Sequence, residues 1–158
     1  MKKRLLLLFL PTLAFAQTRF TDVTKAAGID HRFRVYEGMF GGGACAFDFD
    51  GDGFDDLYVT GGMNDHALYR NNHDGTFTNV FPTSGLTVTR RYVTQGVAAA
   101  DVNRDGWMDL FVTTITTRGK KQPVPRAPNL LFLNQGNGTF RDATKEYGLD
   151  GLRSFSTG

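Results

Sequence analysis

Short apolar runs separated by polar, glycine-containing turns recur along this chain. The runs are three to five residues long and rich in β-branched and aromatic residues, which favour strands over helices. Two of the turns contain Asp-Gly or Asn-Gly, pairs that favour tight hairpins. The pattern therefore predicts an all-β fold. The predicted strands are 43–47, 57–60, 68–70, 76–78, 110–113, 131–133 and 139–141, with a further strand in the run that begins at Gly96.

The predicted strands belong to a repeated unit. One unit begins at Gly43 as GACAFDFDGDGFDDLYVTGG, and a second begins at Gly96 as GVAAADVNRDGWMDLFVTTI, 53 residues later. Each unit continues with a second matched segment, ALYRNNHDGTFTNV from Ala67 and LLFLNQGNGTFRDAT from Leu130. Four antiparallel strands repeating at about 50 residues are typical of a β-propeller blade. A β-sandwich also uses short strands, but it does not explain the repeat.

Partial copies flank the two units. RFTDVTKAAGI at 19–29 is similar to RDATKEYGL at 141–149, and FSTG at 155–158 is similar to the opening of a unit. These copies predict a leading strand at 20–24 and an incomplete ring within a longer repeat protein. The greater spacing in the second unit predicts a solvated insertion loop at 118–128.

The N-terminus has the three parts of a secretory signal peptide in order. A basic segment at 2–4 precedes an apolar run at 5–10 that is too short to span a bilayer, and 14–16 is a small-x-small cleavage pattern. A buried N-terminal helix is the weaker alternative. We therefore predict a signal peptide at 1–16 and export to the periplasm, the outer surface or the exterior, without a transmembrane anchor.

Cleavage would change the charge balance of the chain. It removes three cations and no anions, so Lys+Arg falls from 18 to 15 against 16 Asp+Glu, and the formal net charge changes from +2 to −1. Nucleic-acid binding is accordingly not predicted. The single cysteine, Cys45, excludes an intrachain disulfide, and its apolar surroundings predict a small core residue. Stability must therefore come from packing or from bound metal.

Dense clusters of oxygen-bearing side chains lie between the first two strands of each unit. Both fit D-x-[DN]-x-D-G-x-x-D, in which positions 1, 3 and 5 can converge on one point and glycine at position 6 allows a sharp turn. Position 7 can offer its carbonyl, and position 9 closes the shell. Hard oxygen ligands without His or Cys suit calcium. The predicted ligands are Asp48, Asp50, Asp52, Phe54 and Asp56 in the first loop, and Asp101, Asn103, Asp105, Trp107 and Asp109 in the second.

Two other interpretations of these loops are weaker. A solvated acidic turn would leave several close carboxylates repelling one another, and two such loops in register argue against chance. An EF-hand begins similarly but needs Glu at position 12 and flanking helices. Position 12 is Val59 in one loop and Val112 in the other, and both flanks are strand-like. The loops therefore predict calcium sites outside the EF-hand class.

The order of these motifs resembles a known family. The acidic loop followed by DLYVT or DLFVT, then LYRNN or LFLNQ, then DGTF or NGTF, resembles FG-GAP/VCBS repeats. FTDVTKAAGI also resembles bacterial relatives of cartilage acidic protein, which usually carry an ASPIC/UnbV domain; that region is not found in this sequence. The resemblance covers nearly all of 19–158. It implies that 17–158 forms calcium-stabilised β-propeller blades of the integrin-α type: two complete repeats and the start of a third.

Catalytic signatures are missing from the sequence: it holds no G-x-S-x-G elbow, P-loop or H-E-x-x-H. His31, His66 and His73 lack metal-ligand spacing, and the last two are predicted at the surface near turns. The favoured function is a non-enzymatic, exported calcium-binding module for adhesion or for recognition of a protein or carbohydrate ligand. The alternative is a non-catalytic scaffold of a larger secreted enzyme whose active site lies outside this chain.

Overall fold

The fold is seen in a computed structural model, which describes residues 19–34, 42–115 and 128–151. The predicted signal peptide at 1–16, the insertion loop up to residue 127 and the third-unit opening at 155–158 lie outside the described residues. The described chain consists of eight strands and short 3₁₀ helices at Phe81–Thr83, Leu86–Arg91 and Leu149–Gly151. The prediction of an all-β fold is confirmed.

The strands form two four-stranded antiparallel sheets, each with its strands in chain order. Every strand predicted within the two units is present, with ends shifted by up to three residues. The first sheet contains β1 (Ala44–Phe47), β2 (Asp56–Val59), β3 (Ala67–Asn71) and β4 (Phe77–Asn79), and the second contains β5 (Val93–Ala100), β6 (Asp109–Ile115), β7 (Leu130–Asn134) and β8 (Phe140–Asp142).

The predicted leading strand at 20–24 is wrong. Residues 19–23 have no regular secondary structure, and 24–28 form a turn. Phe20 is 96% exposed, whereas its counterpart in β8, Phe140, is 4% exposed. A strand needs a neighbour to accept and donate its backbone hydrogen bonds, and in the described chain no strand pairs with this segment.

The two sheets share one hydrophobic core. Apolar side chains of β2 and β3 meet those of β6, β7 and β8, so burial on one sheet depends on the other. Cys45 packs against this core, as predicted, and burial raises the pKa of its thiol to about 11. The fully enclosed members of the core are Phe47, Phe49, Tyr58, Leu68, Phe81, Leu86, Leu110, Val112, Leu130, Phe132 and Phe140.

Close backbone approaches join the first strands of the two sheets. Thr60 is fully buried; its hydroxyl donates to the carbonyl of Gln95 at 2.8 Å and accepts from the N–H of Gly43 at 2.8 Å. A side chain at Gly43 would lie 2.8 Å from the backbone of Gly96, so only glycine permits this contact. The first strands of the two sheets are therefore held together by hydrogen bonds, and the missing side chain at Gly43 lets their backbones approach closely.

The turn that precedes each sheet makes the same backbone hydrogen bond to the last strand of that sheet. The carbonyl of Ala27 accepts from the N–H of Phe77 in β4 at 2.9 Å, and the carbonyl of Ser84 accepts from that of Phe140 in β8 at 2.7 Å. Segment 19–29 thus relates to the first sheet as the exit of the first sheet relates to the second. The described chain repeats one packing relation between successive turns.

Candidate metal centre

The first aspartate organises the backbone of each acidic loop. In the loop between β1 and β2, Asp48 Oδ1 accepts from the N–H of Gly51 at 2.8 Å, and Oδ2 accepts from that of Gly53 at 2.9 Å. Between β5 and β6, Asp101 Oδ2 accepts from the N–H of Gly106 at 3.0 Å. Gly53 and Gly106 have φ of 87° and 92°, the left-handed region that favours glycine. The sharp turn expected at position 6 is present in both loops.

The last aspartate joins each loop to its sheet. Asp56 and Asp109, at the starts of β2 and β6, are 0% and 1% exposed. Asp56 Oδ2 accepts from the N–H of Phe49 at 3.1 Å, and Oδ1 accepts from that of Asn71 at 2.7 Å. Asp109 makes the equivalent pair of bonds at 2.9 and 2.8 Å. Backbone N–H groups, rather than water, therefore hydrogen-bond the position-9 carboxylates and fix their positions.

Three carboxylates of the first loop converge. Asp48, Asp50 and Asp56 each place one oxygen within 4.8 Å of the other two. Oxygens bound to one calcium ion at about 2.3–2.6 Å can lie up to about 5 Å apart across the ion. Asp50 Oδ1 is buried and has no hydrogen-bond partner among the described residues. A buried acceptor without a partner is costly, and a bound cation would satisfy it, so this donor set fits a hard cation.

The electrostatics of this group favour an added positive charge. Burial raises the pKa of Asp50, and the negative charges of Asp52 and Asp48 raise it further. Burial also raises the pKa of Asp56, against hydrogen bonds from backbone N–H groups that lower it. These carboxylates are thus held in a place that penalises their charged form, a penalty that a divalent cation offsets.

Asp52, the fourth predicted carboxylate of this loop, lies outside the converging group. Its Oδ2 is 2.7 Å from His73 Nε2, and this hydrogen bond is the main reason that its pKa is lowered. The ring of His73 stacks on that of Phe54 with centroids 4.0 Å apart. The tip of the β3–β4 hairpin therefore folds over this loop. A cavity of about 300 Å³ opens here, lined by Asp50, Asp52, Arg70, Asn71, Asn72 and His73.

The second loop repeats the backbone bonds of the first with different side chains. Asn103 Nδ2 donates to Asp105 Oδ2 at 2.7 Å, so two of the predicted ligands are bonded to each other. Arg104 has a φ of 63° at position 4, where the first loop has glycine. In the described chain, the carboxylates of this loop do not come together as those of the first loop do.

The two position-7 residues were predicted to offer their carbonyls. Their N–H groups, on Phe54 and Trp107, each donate to the position-5 aspartate of their own loop at 2.9 Å. Phe54 is 47% exposed, whereas Trp107 is half-buried with its ring against Gly51 of the first loop. These bonds hold position 7 next to the ligand side chains in both loops.

Sequence reasoning missed two asparagines that support the loops. Asn71 and Asn134, at the ends of β3 and β7, donate their N–H groups to Asp56 and Asp109. The signal lay in the repeat itself, because both asparagines occupy the same place, after LYR and after LFL.

The surface position predicted for His66 is wrong. It is 2% exposed; its Nδ1 lies 2.7 Å from the hydroxyl of Tyr58, and its Nε2 lies 3.1 Å from that of Thr94 in the second sheet. Its ring stacks on Phe81 with centroids 5.7 Å apart. The connection after β2 folds inward between the sheets, so a residue beside a turn becomes part of their interface. His73, by contrast, is exposed as predicted.

A second concave region lies at the opposite end of the first sheet. The cavity, of about 530 Å³, is formed by the segment before β1 and by the connection after β2. Its lining is mostly polar and includes Asp30, His31, Arg32, Met63, Asn64 and Asp65. The two ends of the first sheet thus carry different chemistry: converging carboxylates at one end and a mixed polar cavity at the other.

Residues 48–112 match the family model of the FG-GAP-like repeat. The matched segment begins at the first ligand position of the first acidic loop and ends in β6, so it includes both loops. No curated protein matches the chain. None of the helices in the described chain is long and apolar enough to cross a membrane. The match and the two antiparallel sheets together support an FG-GAP repeat protein.

Proposed function

We propose that this chain is an exported, calcium-binding β-propeller module that serves adhesion or recognises a protein or carbohydrate ligand. The two sheets would be neighbouring blades of an integrin-α-type ring. Support comes from the FG-GAP-like match across both acidic loops and from the turn geometry that is repeated between successive sheets. The relationship to bacterial relatives of cartilage acidic protein belongs to the same proposal.

One observation carries the calcium assignment: Asp48, Asp50 and Asp56 converge, and the buried Asp50 Oδ1 has no hydrogen-bond partner among the described residues. These three side chains would hold the ion, with the Phe54 carbonyl and Asp52 as further candidate oxygens. Asp101, Asn103, Asp105, Asp109 and the Trp107 carbonyl would form the second site. Bound calcium supplies charge neutralisation. The residues themselves tie the β1–β2 and β5–β6 connections to the sheets.

Recognition would use the ends of the strands that the acidic loops leave free. Loops on a rigid scaffold carry most binding surfaces, and the mixed polar cavity beside Asp30 and Asp65 lies at that end. We propose no catalytic role, because the sequence holds no recognised catalytic motif. Export is proposed from the signal-peptide pattern at 1–16.

Calcium titration of the full chain tests this function. We expect a dissociation constant of roughly 10⁻⁴ to 10⁻³ M, as in extracellular calcium modules. Calcium at a hundred times that constant should stabilise the fold by about 2.7 kcal/mol, and a chelator should lower the melting temperature. Asp50→Ala should abolish calcium binding at the first loop. Asp55→Ala, which removes a charge from the same loop outside the predicted ligands, should weaken this binding only slightly. A chain that neither binds calcium nor responds to a chelator would refute the proposal.

A further inference from the structure

A continuous hydrogen-bonded path joins the two acidic loops. Asp56 Oδ2 accepts from the N–H of Phe49 at 3.1 Å, and the carbonyl of Phe49 accepts from Asn134 Nδ2 at 2.8 Å. The N–H of Asn134 then donates to Asp109 Oδ1 at 2.8 Å. Asn134 is 2% exposed, so water does not compete for these bonds. The closing carboxylates of the two loops are therefore linked through the backbone of one residue, Phe49, and through Asn134.

A second contact crosses between the same loops. The ring of Trp107, from the second loop, packs on Gly51 of the first. A Cβ at Gly51 would lie 2.7 and 2.9 Å from ring carbons Cζ3 and Cη2, so no other residue fits there without displacing the ring. Trp107 is the only tryptophan in the sequence. A spectroscopic probe that belongs to one loop thus touches the other.

Asn71 shows which property is special to Asn134. Both side chains accept the N–H of the residue two positions on, at 2.9 and 3.0 Å, and both donate to the position-8 carbonyl of their own loop, at 3.1 and 3.2 Å. Asn134 alone adds the bond to Phe49 in the other loop; among the described residues, Asn71 bonds to no second acidic loop. Comparing the two asparagines therefore distinguishes support of a residue's own loop, which both provide, from connection between the loops, which Asn134 provides.

We propose that Asn134 couples the two metal loops, so that filling one strengthens calcium binding at the other; this rests on the calcium function proposed above. Ligation of Asp109 in the second loop fixes the N–H donor of Asn134. Its amide then holds the Phe49 carbonyl, which lies between the ligands Asp48 and Asp50. The first loop consequently loses less conformational freedom when it binds, and by linkage the effect is reciprocal.

Calcium titrations of six forms of the full chain test the coupling: wild type, Asp101→Ala, and each of Asn134→Ala and Asn71→Ala alone and combined with Asp101→Ala. Measured couplings between sites are typically about 5- to 150-fold. We expect Asp101→Ala to weaken the first loop at least about fivefold, toward the low end of that range. In the Asn134→Ala background, the same change should have less than about a twofold effect. Asn71→Ala, the matched control, should weaken the first loop but keep its dependence on Asp101.

Trp107 fluorescence provides a second readout. In Asp101→Ala, the emission should still change as the first loop fills, because the ring lies on Gly51. If Asp101→Ala leaves the first loop's affinity unchanged while wild type binds two calcium ions, the coupling is wrong and the calcium function stands. If the dependence persists in Asn134→Ala, or in Asn134→Ser should the alanine variant not fold, Asn134 is not the connection. A wild-type chain that binds no calcium overturns both proposals.

Discussion

His66 shows how burial changes the chemistry of a single side chain. Both of its ring nitrogens are bonded, one to a hydroxyl of β2 and one to a hydroxyl of β5. Burial lowers the pKa of His66 to about 4; the nearby charges of His31 and Arg90 also lower it, while Asp65 raises it. Its neutral form is therefore the one that fits between the sheets.

Acid should destabilise the protein through His66. Its pKa is near 6.5 in the unfolded chain and about 4 in the fold, so the unfolded state binds the extra proton between these values. Stability is full above pH 6.5 and falls as the pH decreases toward 4, by about 3 kcal/mol at most. Urea unfolding across this window should show that the difference in unfolding free energy between wild type and His66→Gln becomes smaller as the pH decreases. A difference in unfolding free energy that stays constant across this window would contradict the assignment.

Residue spacing predicted which carboxylates converge better than it predicted the contacts of individual side chains. The loop pattern named Asp48, Asp50 and Asp56, which the fold brings together. It could not place Asp52 beside His73, because that contact depends on how the β3–β4 hairpin folds over the loop. It misplaced His66 for the same reason: position next to a turn does not reveal which side of the turn another sheet covers.

The two acidic loops, as elements, should bind calcium with different strengths. The first brings three carboxylates together, whereas the second has neutral Asn103 bonded to Asp105 and carries the cation of Arg104. Affinity for calcium rises with the charge of the ligands. The site left in Asp101→Ala should therefore be tighter than the site left in Asp48→Ala. A reciprocal coupling weakens both equally and keeps the order.

Calorimetry on these two single variants ranks the loops. We expect the site that remains in Asp101→Ala to bind about tenfold more tightly, which corresponds to about 1.4 kcal/mol. Arg104→Ala should strengthen the second loop and narrow the difference. The reverse order of affinities would show that crowding of the first loop's carboxylates outweighs their attraction for the ion.

The turn after β4 should tolerate no side chain at Gly85. This residue has a φ of 82°, and a Cβ there would collide with the carbonyl oxygen of Phe140 in the second sheet. Gly75 has a similar φ of 85° but open space around it. Thermal or urea unfolding should show a loss of about 1–2 kcal/mol for Gly75→Ala, from backbone strain alone. Gly85→Ala should lose a further 1–3 kcal/mol or so, from the collision. Equal losses of stability in the two variants would mean that the second sheet can move away from a side chain at Gly85 at little cost.

Elements were predicted well where their partners are local. Every hairpin-linked strand was found from its apolar run and its turn, since both signals lie within about ten residues. The strand at 20–24 was not, because its similarity to β4 and β8 concerns sequence, whereas a strand exists only beside a partner. The bulge between Thr94 and Val97 in β5 was also missed. It lies where Gly43, just before β1, approaches the backbone of β5, a contact between the two sheets.

At the scale of the whole molecule, the repeat predicted four strands in each unit but not how the two sheets depend on each other. Their shared core includes side chains from both sheets. Thr60 and Asn134 add hydrogen bonds between them. These contacts join residues 35 and 85 positions apart in sequence, a separation at which no local pattern operates. The described chain is therefore organised as one packed body rather than as two independent repeats.

This shared core predicts that the two sheets unfold together. Phe132, in β7, is 0% exposed and packs in the core that both sheets form. Truncation in Phe132→Ala should cost about 3–5 kcal/mol, and amide exchange should accelerate in β2 and β3 of the first sheet as well as in the second. Far-UV circular dichroism and Trp107 fluorescence should report one coincident transition. Phe20→Ala, at a side chain that is 96% exposed, should change stability by less than about 0.5 kcal/mol. Independent sheets would instead leave exchange in β2 and β3 at wild-type rates in Phe132→Ala, because the first sheet would retain a complete core of its own.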